Sequence, residues 1–379
     1  MRIIYFSRDY TPHDHRFLSY LAGTDHEVYF LRLEKKSPVQ EVRPVPDQVR
    51  QVKWAGGQKK LSVPDYFRLV TDLRRVIKEI RPELIHAGPV PITAFLAALT
   101  GFKPLVSMSW GSDLLLESRR SRITEWKSRF TLKRTTVLLG DCFAVQDRAV
   151  ELGFPVERTI LFPWGVDIHH FTPGMDSQLR QELGWRDCFV LLSLRSWEPV
   201  YGVDLIVRSF FKSLQAVPQL RLILLGQGSQ AAAIKSIIKA NGLEDRVYLG
   251  SNVINEDLPD WYRAADLYIS ASLSDGSSVS LMESLSCGLP VLVSDIPGNR
   301  EWITPGEQGW LFRSGDENDL VEGICNSFAL KDRLEEMGKS CRHLALQRAD
   351  ESKNFQKLLE AYELAFTLSK TITGGININ

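Results

Sequence analysis

Apolar residues in this chain gather into short runs, and between the runs they recur at helical spacing. In the first half, runs at 2–6, 27–31, 83–86, 104–108, 142–145 and 159–162 predict strands. The stretches between them predict helices, most clearly over 64–80 and 90–99. The second half repeats the scheme. Strands predicted at 189–194, 220–225, 246–249, 267–271 and 290–294 alternate with helices at 202–215, 229–240 and 257–264. Such alternation makes parallel sheets with helices on both faces. The stretch 351–370 reads as a further helix, and residues 374–379 as a disordered tail.

With 379 residues the chain exceeds one ordinary core, so two α/β domains are predicted, over 1–167 and 188–350. The boundary is predicted in the Pro- and Gly-bearing stretch 168–187. Open α/β sheets take ligands beyond the carboxyl ends of their strands. Two such sheets facing each other predict a cleft with one substrate on each wall. The charge balance is 46 basic to 46 acidic residues, which gives no global argument for nucleic acid. Five cysteines, 142, 188, 287, 325 and 341, stand far apart without a C-x-x-C, which suits a reducing, cytoplasmic setting. Met1-Arg2 leads straight into an apolar strand, with no visible signal peptide, and no apolar run approaches a membrane span.

The densest chemistry lies in 274–295, SDGSSVSLMESLSCGLPVLVSD. Asp275 opens a loop of small residues, Gly276-Ser277-Ser278, and Val279 begins an apolar-periodic stretch that contains Glu283. Gly288 closes it, and Pro290-Val291-Leu292-Val293 reads as a buried strand. A small-residue loop leading into a helix leaves amides and a dipole that favour an anion, most simply a phosphate. Helical side chains lean toward the N-terminus, so Glu283 can reach a group beside that anion.

This segment resembles the signature of retaining nucleotide-sugar glycosyltransferases of the GT-B fold, family four in the usual classification. Their pattern has two glutamates with seven residues between them. Asp275 and Glu283 keep the spacing, with Asp in the first place. Further resemblance lies in Phe162-Pro163-Trp164-Gly165-Val166-Asp167, Phe171-Thr172-Pro173, Ser193-Leu194-Arg195, Leu225-Gly226-Gln227-Gly228 and Arg263-Ala264-Ala265-Asp266, in the family's order. The resemblance implies two Rossmann-like domains, with the last helix crossing back to the first. It implies transfer of a sugar from a nucleoside diphosphate donor to a glycan or lipid-linked hydroxyl, without metal or other cofactor. Glu283 would bind the ribose and Asp275 the sugar. Arg195 and the amides of Gly276, Ser277, Ser278 and Val279 would hold the diphosphate. Gly226, Gln227 and Gly228 would let backbone approach the donor, and Asn252 and Val253 would seat the base.

Besides Asp275, two positions depart from the pattern. Where relatives carry a Lys six residues after the Arg, this chain has Tyr201. Where many carry H-G-x-D, it has Trp110-Gly111-Ser112-Asp113, so Trp110 is either a core aromatic or a sugar-facing platform. Arg300 is the nearest replacement cation by position, and its other reading is a solvated loop residue. His13, Asp14 and Arg16, after the first strand, are acceptor contacts by the resemblance. His86, at a strand end, is either structural or a substrate contact. The H-x-H of 13–15 finds no partners that would complete a metal site. Residues 119–139 carry seven basic residues interleaved with Trp126, Phe130, Leu132 and Val137. They read as a helix lying on an anionic membrane surface or as an ordinary solvated one. A nucleotide- or glycan-binding pseudo-enzyme and a nucleotide-sugar epimerase are the alternatives to a transferase.

Overall fold

The computed structural model describes residues 1–35, 41–57, 65–174, 178–251 and 253–374. Asn252 and the tail 375–379 lie outside them. The chain forms two compact units, one of Met1–Phe162 with Phe355–Asn379 and one of Pro163–Asn354. The division falls at Phe162–Pro163, ahead of the stretch 168–187. Backbone pairing sets it there: Val166 bridges Asp350, and its amide donates to the Ala349 carbonyl. Gly165 belongs to this join, since a Cβ would come 2.6 Å from the Glu351 Cα.

Among the described residues the first unit holds seven parallel strands: β1 Arg2–Ser7, β2 Glu27–Arg32, β3 Arg50–Gln51, β4 Leu84–Gly88, β5 Leu105–Met108, β6 Val137–Gly140 and β7 Thr159–Leu161. Their order in the sheet is β3-β2-β1-β4-β5-β6-β7. Strands β4, β5 and β6 are buried along their whole length, which is why they read as unbroken apolar runs. The strand predicted at 142–145 is instead the first turn of the helix Phe143–Glu151, and the strand is Val137–Gly140. A short apolar run fits either element, and here Val137-Leu138-Leu139 took the buried sheet position. The last helix, Gln356–Gly374, belongs to this unit and buries Leu358, Ala361, Tyr362 and Ala365.

Among the described residues the second unit holds six parallel strands: β8 Phe189–Ser193, β9 Leu220–Leu225, β10 Val247–Gly250, β11 Leu267–Ser270, β12 Val291–Ser294 and β13 Gly309–Phe312. Their order is β10-β9-β8-β11-β12-β13. β13, absent from the sequence reading, is an edge strand of Gly-Trp-Leu-Phe. It lies against β12 because Gly309 has no Cβ, which would fall 1.9 Å from the Val291 carbonyl oxygen. Both units are therefore doubly wound α/β layers of the Rossmann-like kind.

Candidate active site

In the second unit the winding reverses between the neighbouring strands β8 and β11. Ligands of open α/β sheets bind at such a reversal, past the carboxyl ends of the strands. Arg195 stands two residues beyond β8, and Asp275 lies in the loop between β11 and the helix Val279–Ser286. Their side chains meet there. Arg195 Nη2 donates to Asp275 Oδ2 at 2.6 Å, and Nη1 donates to the hydroxyls of Ser278 at 2.7 Å and Ser280 at 3.3 Å. The Tyr201 ring covers the guanidinium, with Cζ 4.1 Å from the ring centroid. The Arg195 Nε is buried and makes no hydrogen bond among the described residues.

The electrostatics follow from burial. Desolvation opposes the Arg195 charge, and the neighbouring Asp275 carboxylate favours it, so Arg195 stays protonated. Burial also raises the Asp275 carboxyl above its usual range, with Arg195 and the Gly276 amide pulling it back. Ser278 caps the helix Val279–Ser286 without a side-chain bond to its first turn. Its hydroxyl serves Arg195 instead, so the opening amides keep no side-chain cap. The loop is held from behind. Trp302 Nε1 donates to the Ser277 hydroxyl at 3.1 Å, and Gly298 lies so close that a Cβ would come 2.4 Å from the Gly276 carbonyl oxygen.

Glu283 projects from the same helix and is only 5% exposed. Its Oε2 accepts from Tyr262 Oη at 2.7 Å. Burial keeps the Tyr262 phenol protonated, so it remains a donor. The Gly226–Gly228 turn packs on the segment after β8. A Cβ on Gly226 would stand 2.8 Å from the Arg195 carbonyl oxygen, and one on Gly228 would stand 2.4 Å from that of Trp197. Gln227 is exposed and its carbonyl accepts from the Trp197 amide, while Val253 is half-buried against the core. Arg300 is exposed at the end of the short helix Pro297–Arg300 and paired with Asp295 at 2.5 and 2.9 Å, so it is a solvated surface residue rather than a loop one. Burial pushes the Cys287 thiol up to about 12, which leaves a neutral packing group.

The first unit corrects several expected contacts. His86 is fully buried in β4 and shares a 2.7 Å hydrogen bond through Nδ1 with Tyr362 Oη. Burial lowers its pKa to about 3, so it is a neutral structural histidine and not a surface contact. Asp14 is 1% exposed and closes the capping box of the helix Pro12–Ala22 with Thr11. It also accepts from Tyr5 Oη at 3.0 Å. Asp113 is buried and accepts from Ser109 Oγ at 2.6 Å and from the Val90 and Trp110 amides. Both carboxyls organise loops rather than face an acceptor, and burial raises each to about 6. His13, Arg16 and Trp110 remain half-exposed, with the His13 and Trp110 rings 5.2 Å apart. Trp110 therefore presents a partly open aromatic surface beside a histidine.

The basic segment resolves into the short helix Ser118–Arg120, the helix Arg122–Arg134 and β6. Leu132 and Val137 are core residues, and Phe130 packs on Phe95, so much of its apolar content faces inward. Ile123 and Trp126 stay 68% and 55% exposed. Among the described residues, no helix is long and apolar enough to cross a membrane, and no three His, Cys, Asp or Glu converge as a metal site.

Two family models match the chain. "Glycosyl transferases group 1" covers residues 175–344, and "Glycosyltransferase Family 4" covers 13–170. The chain belongs to glycosyltransferase family 4. The D-inositol 3-phosphate glycosyltransferase of Thermobispora bispora is 28% identical over 59% of this chain and 54% of its own length. The match thus spans about half of that relative. A GDP-mannose-dependent phosphatidylinositol monomannoside mannosyltransferase of Mycolicibacterium smegmatis is 22% identical over 72% of this chain and 74% of its own. Among solved structures, Anabaena HepE in complex with UDP and glucose superposes with a TM-score of 0.78 at 19% identity, covering 96% of this chain and 99% of that one. Sucrose-phosphate synthase of Thermosynechococcus elongatus gives 0.79 at 17% identity, covering 97% and 100%. At these identities the likeness establishes the GT-B fold.

Several family-like segments of this chain prove to be scaffold. Arg263 donates to the Thr172 carbonyl and hydroxyl, and Asp266 accepts from Arg180 and the Val190 amide. Sequence reasoning missed Tyr262, Ser280 and the stacking of Tyr201. No local pattern marks them, since Tyr262 meets Glu283 and Ser280 meets Arg195 only through the fold.

Proposed function

We propose that this chain transfers a sugar from a nucleoside diphosphate donor to an acceptor hydroxyl with retention of configuration. The observation that carries the reading is the convergence of Arg195, Asp275, Ser278 and the opening amides of Val279–Ser286 at the reversal of the second sheet. A phosphate suits the guanidinium and the amides, and a carboxylate beside it suits sugar hydroxyls. Glu283, oriented by Tyr262, takes the ribose. Arg195 and the amides stabilise charge as the bond between the sugar's anomeric carbon and the distal phosphate oxygen breaks. The acceptor oxygen forms the new bond on the same face and passes its proton to the leaving phosphate. No protein nucleophile is needed, and no metal or cofactor is assigned. Relatives named as transferases support turnover over a binding-only role.

The acceptor in this reading is a glycan or lipid-linked hydroxyl, met on the first unit near Trp110, His13 and Arg16. The chain works at the cytoplasmic face of an anionic membrane. Support comes from Phe67, Ile123 and Trp126, which stay 85%, 68% and 55% exposed. Tyr66, next to Phe67, accepts from Lys127, next to Trp126, which ties the two helices that carry these residues together. Arg120 and Arg122 are exposed there and have no carboxylate partner among the described residues.

The test is a thermal-shift screen of nucleotide sugars, followed by turnover of the best donor with EDTA present. Glu283→Ala should abolish donor binding while the protein still melts cooperatively. Unchanged donor affinity in that variant would sink the ribose assignment, and loss of turnover on chelation would sink the metal-free one.

A further inference from the structure

Arg195 is the cation of the phosphate site, yet its charge is already balanced. Asp275 lies 2.6 Å from Nη2, and the side chains of the pair are only 11% and 19% exposed. Ser278 and Ser280 hold Nη1, and Tyr201 closes one face of the guanidinium. A guanidinium so placed has little freedom to swing away to meet an anion. Any phosphate that takes Arg195 must come up beside the Asp275 carboxylate. Two anions on one cation repel, and partial burial keeps the repulsion from being screened.

We infer that Asp275 competes with phosphate for Arg195, so that the site favours the intact donor and disfavours the nucleoside diphosphate left after transfer. The inference rests on the donor-site reading above and extends it from binding to product release. An intact donor brings sugar hydroxyls that can donate to Asp275 as it gives up Arg195, so the carboxylate exchanges one partner for others. The sugarless product brings no such donors. Cleavage also leaves the distal phosphate with an additional ionisable oxygen, which sharpens the repulsion at the moment when release is needed. Asp275 then returns to Arg195. The close fit of the loop fixes this geometry, since Gly298, Trp302 and the Gly276 amide all restrain the segment from which Asp275 projects.

The experiment uses sugarless probes. Affinities of inorganic pyrophosphate, UDP and GDP are measured by calorimetry on the full chain and on Asp275→Asn and Asp275→Glu, with thermal melts alongside. Asp275→Asn should bind the preferred nucleoside diphosphate at least about tenfold tighter, because a like charge has been removed. Asp275→Glu keeps the charge and should keep the weak affinity. Equal or weaker binding by Asp275→Asn, with wild-type binding measurable, overturns the inference and leaves the donor site standing. No binding of any probe to wild type or variant overturns both. The wild-type chain supplies a second reading that needs no variant: the intact donor should bind tighter than its own nucleoside diphosphate. The reverse order also overturns the inference.

Discussion

Burial can take a histidine out of the chemistry that its position suggests. His86 stands in the middle of β4, has no exposed surface, and its ring lies edge-on to Tyr5 at 5.0 Å. Its pKa falls to about 3 through desolvation, from an ordinary value of 6.5. Between those values the unfolded chain binds a proton that the folded chain refuses. Stability therefore falls as pH drops from 6.5 toward 3, by at most about 1.4 kcal/mol per pH unit from this residue. Asp14 and Asp113 act with the opposite sign between their ordinary range and about 6, because burial favours their protonated forms in the fold. Comparison with a variant isolates the histidine. On lowering the pH from 6.5 to 4, His86→Gln should gain stability relative to wild type in urea melts, and a pH-independent difference between the two would refute the neutral buried state. At this scale the sequence revealed Asp275 and Glu283, because their spacing along one loop and helix is local. It could not reveal Tyr201 stacked on Arg195 or Tyr262 bonded to Glu283, because those contacts exist only once strands and helices are assembled.

The elements around the site depend on close backbone approach. The Gly226–Gly228 turn lies against the segment after β8, and Gly228 has the tighter contact. A methyl there would meet the Trp197 carbonyl and push the turn away from the peptide that carries Arg195. Gly228→Ala should lower stability by about 1–3 kcal/mol, as other overpacked sites do. It should also weaken pyrophosphate binding, read by calorimetry. Wild-type stability and affinity would show that the turn can give way without moving Arg195. Element type was legible where apolar runs were long or flanked by clear caps. It failed at 142–145, where a short apolar run fits strand and helix equally, and at β13, whose edge strand Gly-Trp-Leu-Phe carries too little pattern. The basic helix shows the same limit. Its composition suggested one amphipathic face over 119–139, and the fold turned Leu132 and Val137 into core.

At the scale of the molecule, the remaining exposed face of that helix bears on where the protein works. If Phe67, Ile123 and Trp126 enter a lipid surface with Arg120 and Arg122 above it, the protein should co-sediment with anionic vesicles at low salt. Arg120→Ser with Arg122→Ser should weaken this by roughly tenfold or more, since each basic residue near the surface contributes about 1 kcal/mol. Ile123→Ser with Trp126→Ser should weaken it at all salt concentrations, because apolar insertion is not screened. Absence of binding at low salt would leave an ordinary solvated face. The sequence by itself determined that strands and helices alternate in two doubly wound layers, because parallel sheets demand buried apolar runs joined by helices. It also determined the small-residue loop and its acidic pair, because loop, cap and helix are set by neighbours in the chain. Only the tertiary structure decided which polar residues stay free for chemistry. Asp14, His86 and Asp113 are ordinary polar residues along the chain, but packing buried them and gave them structural partners. Arg195 and Asp275 lie 80 positions apart, and they form one site because the order of strands sets β8 beside β11.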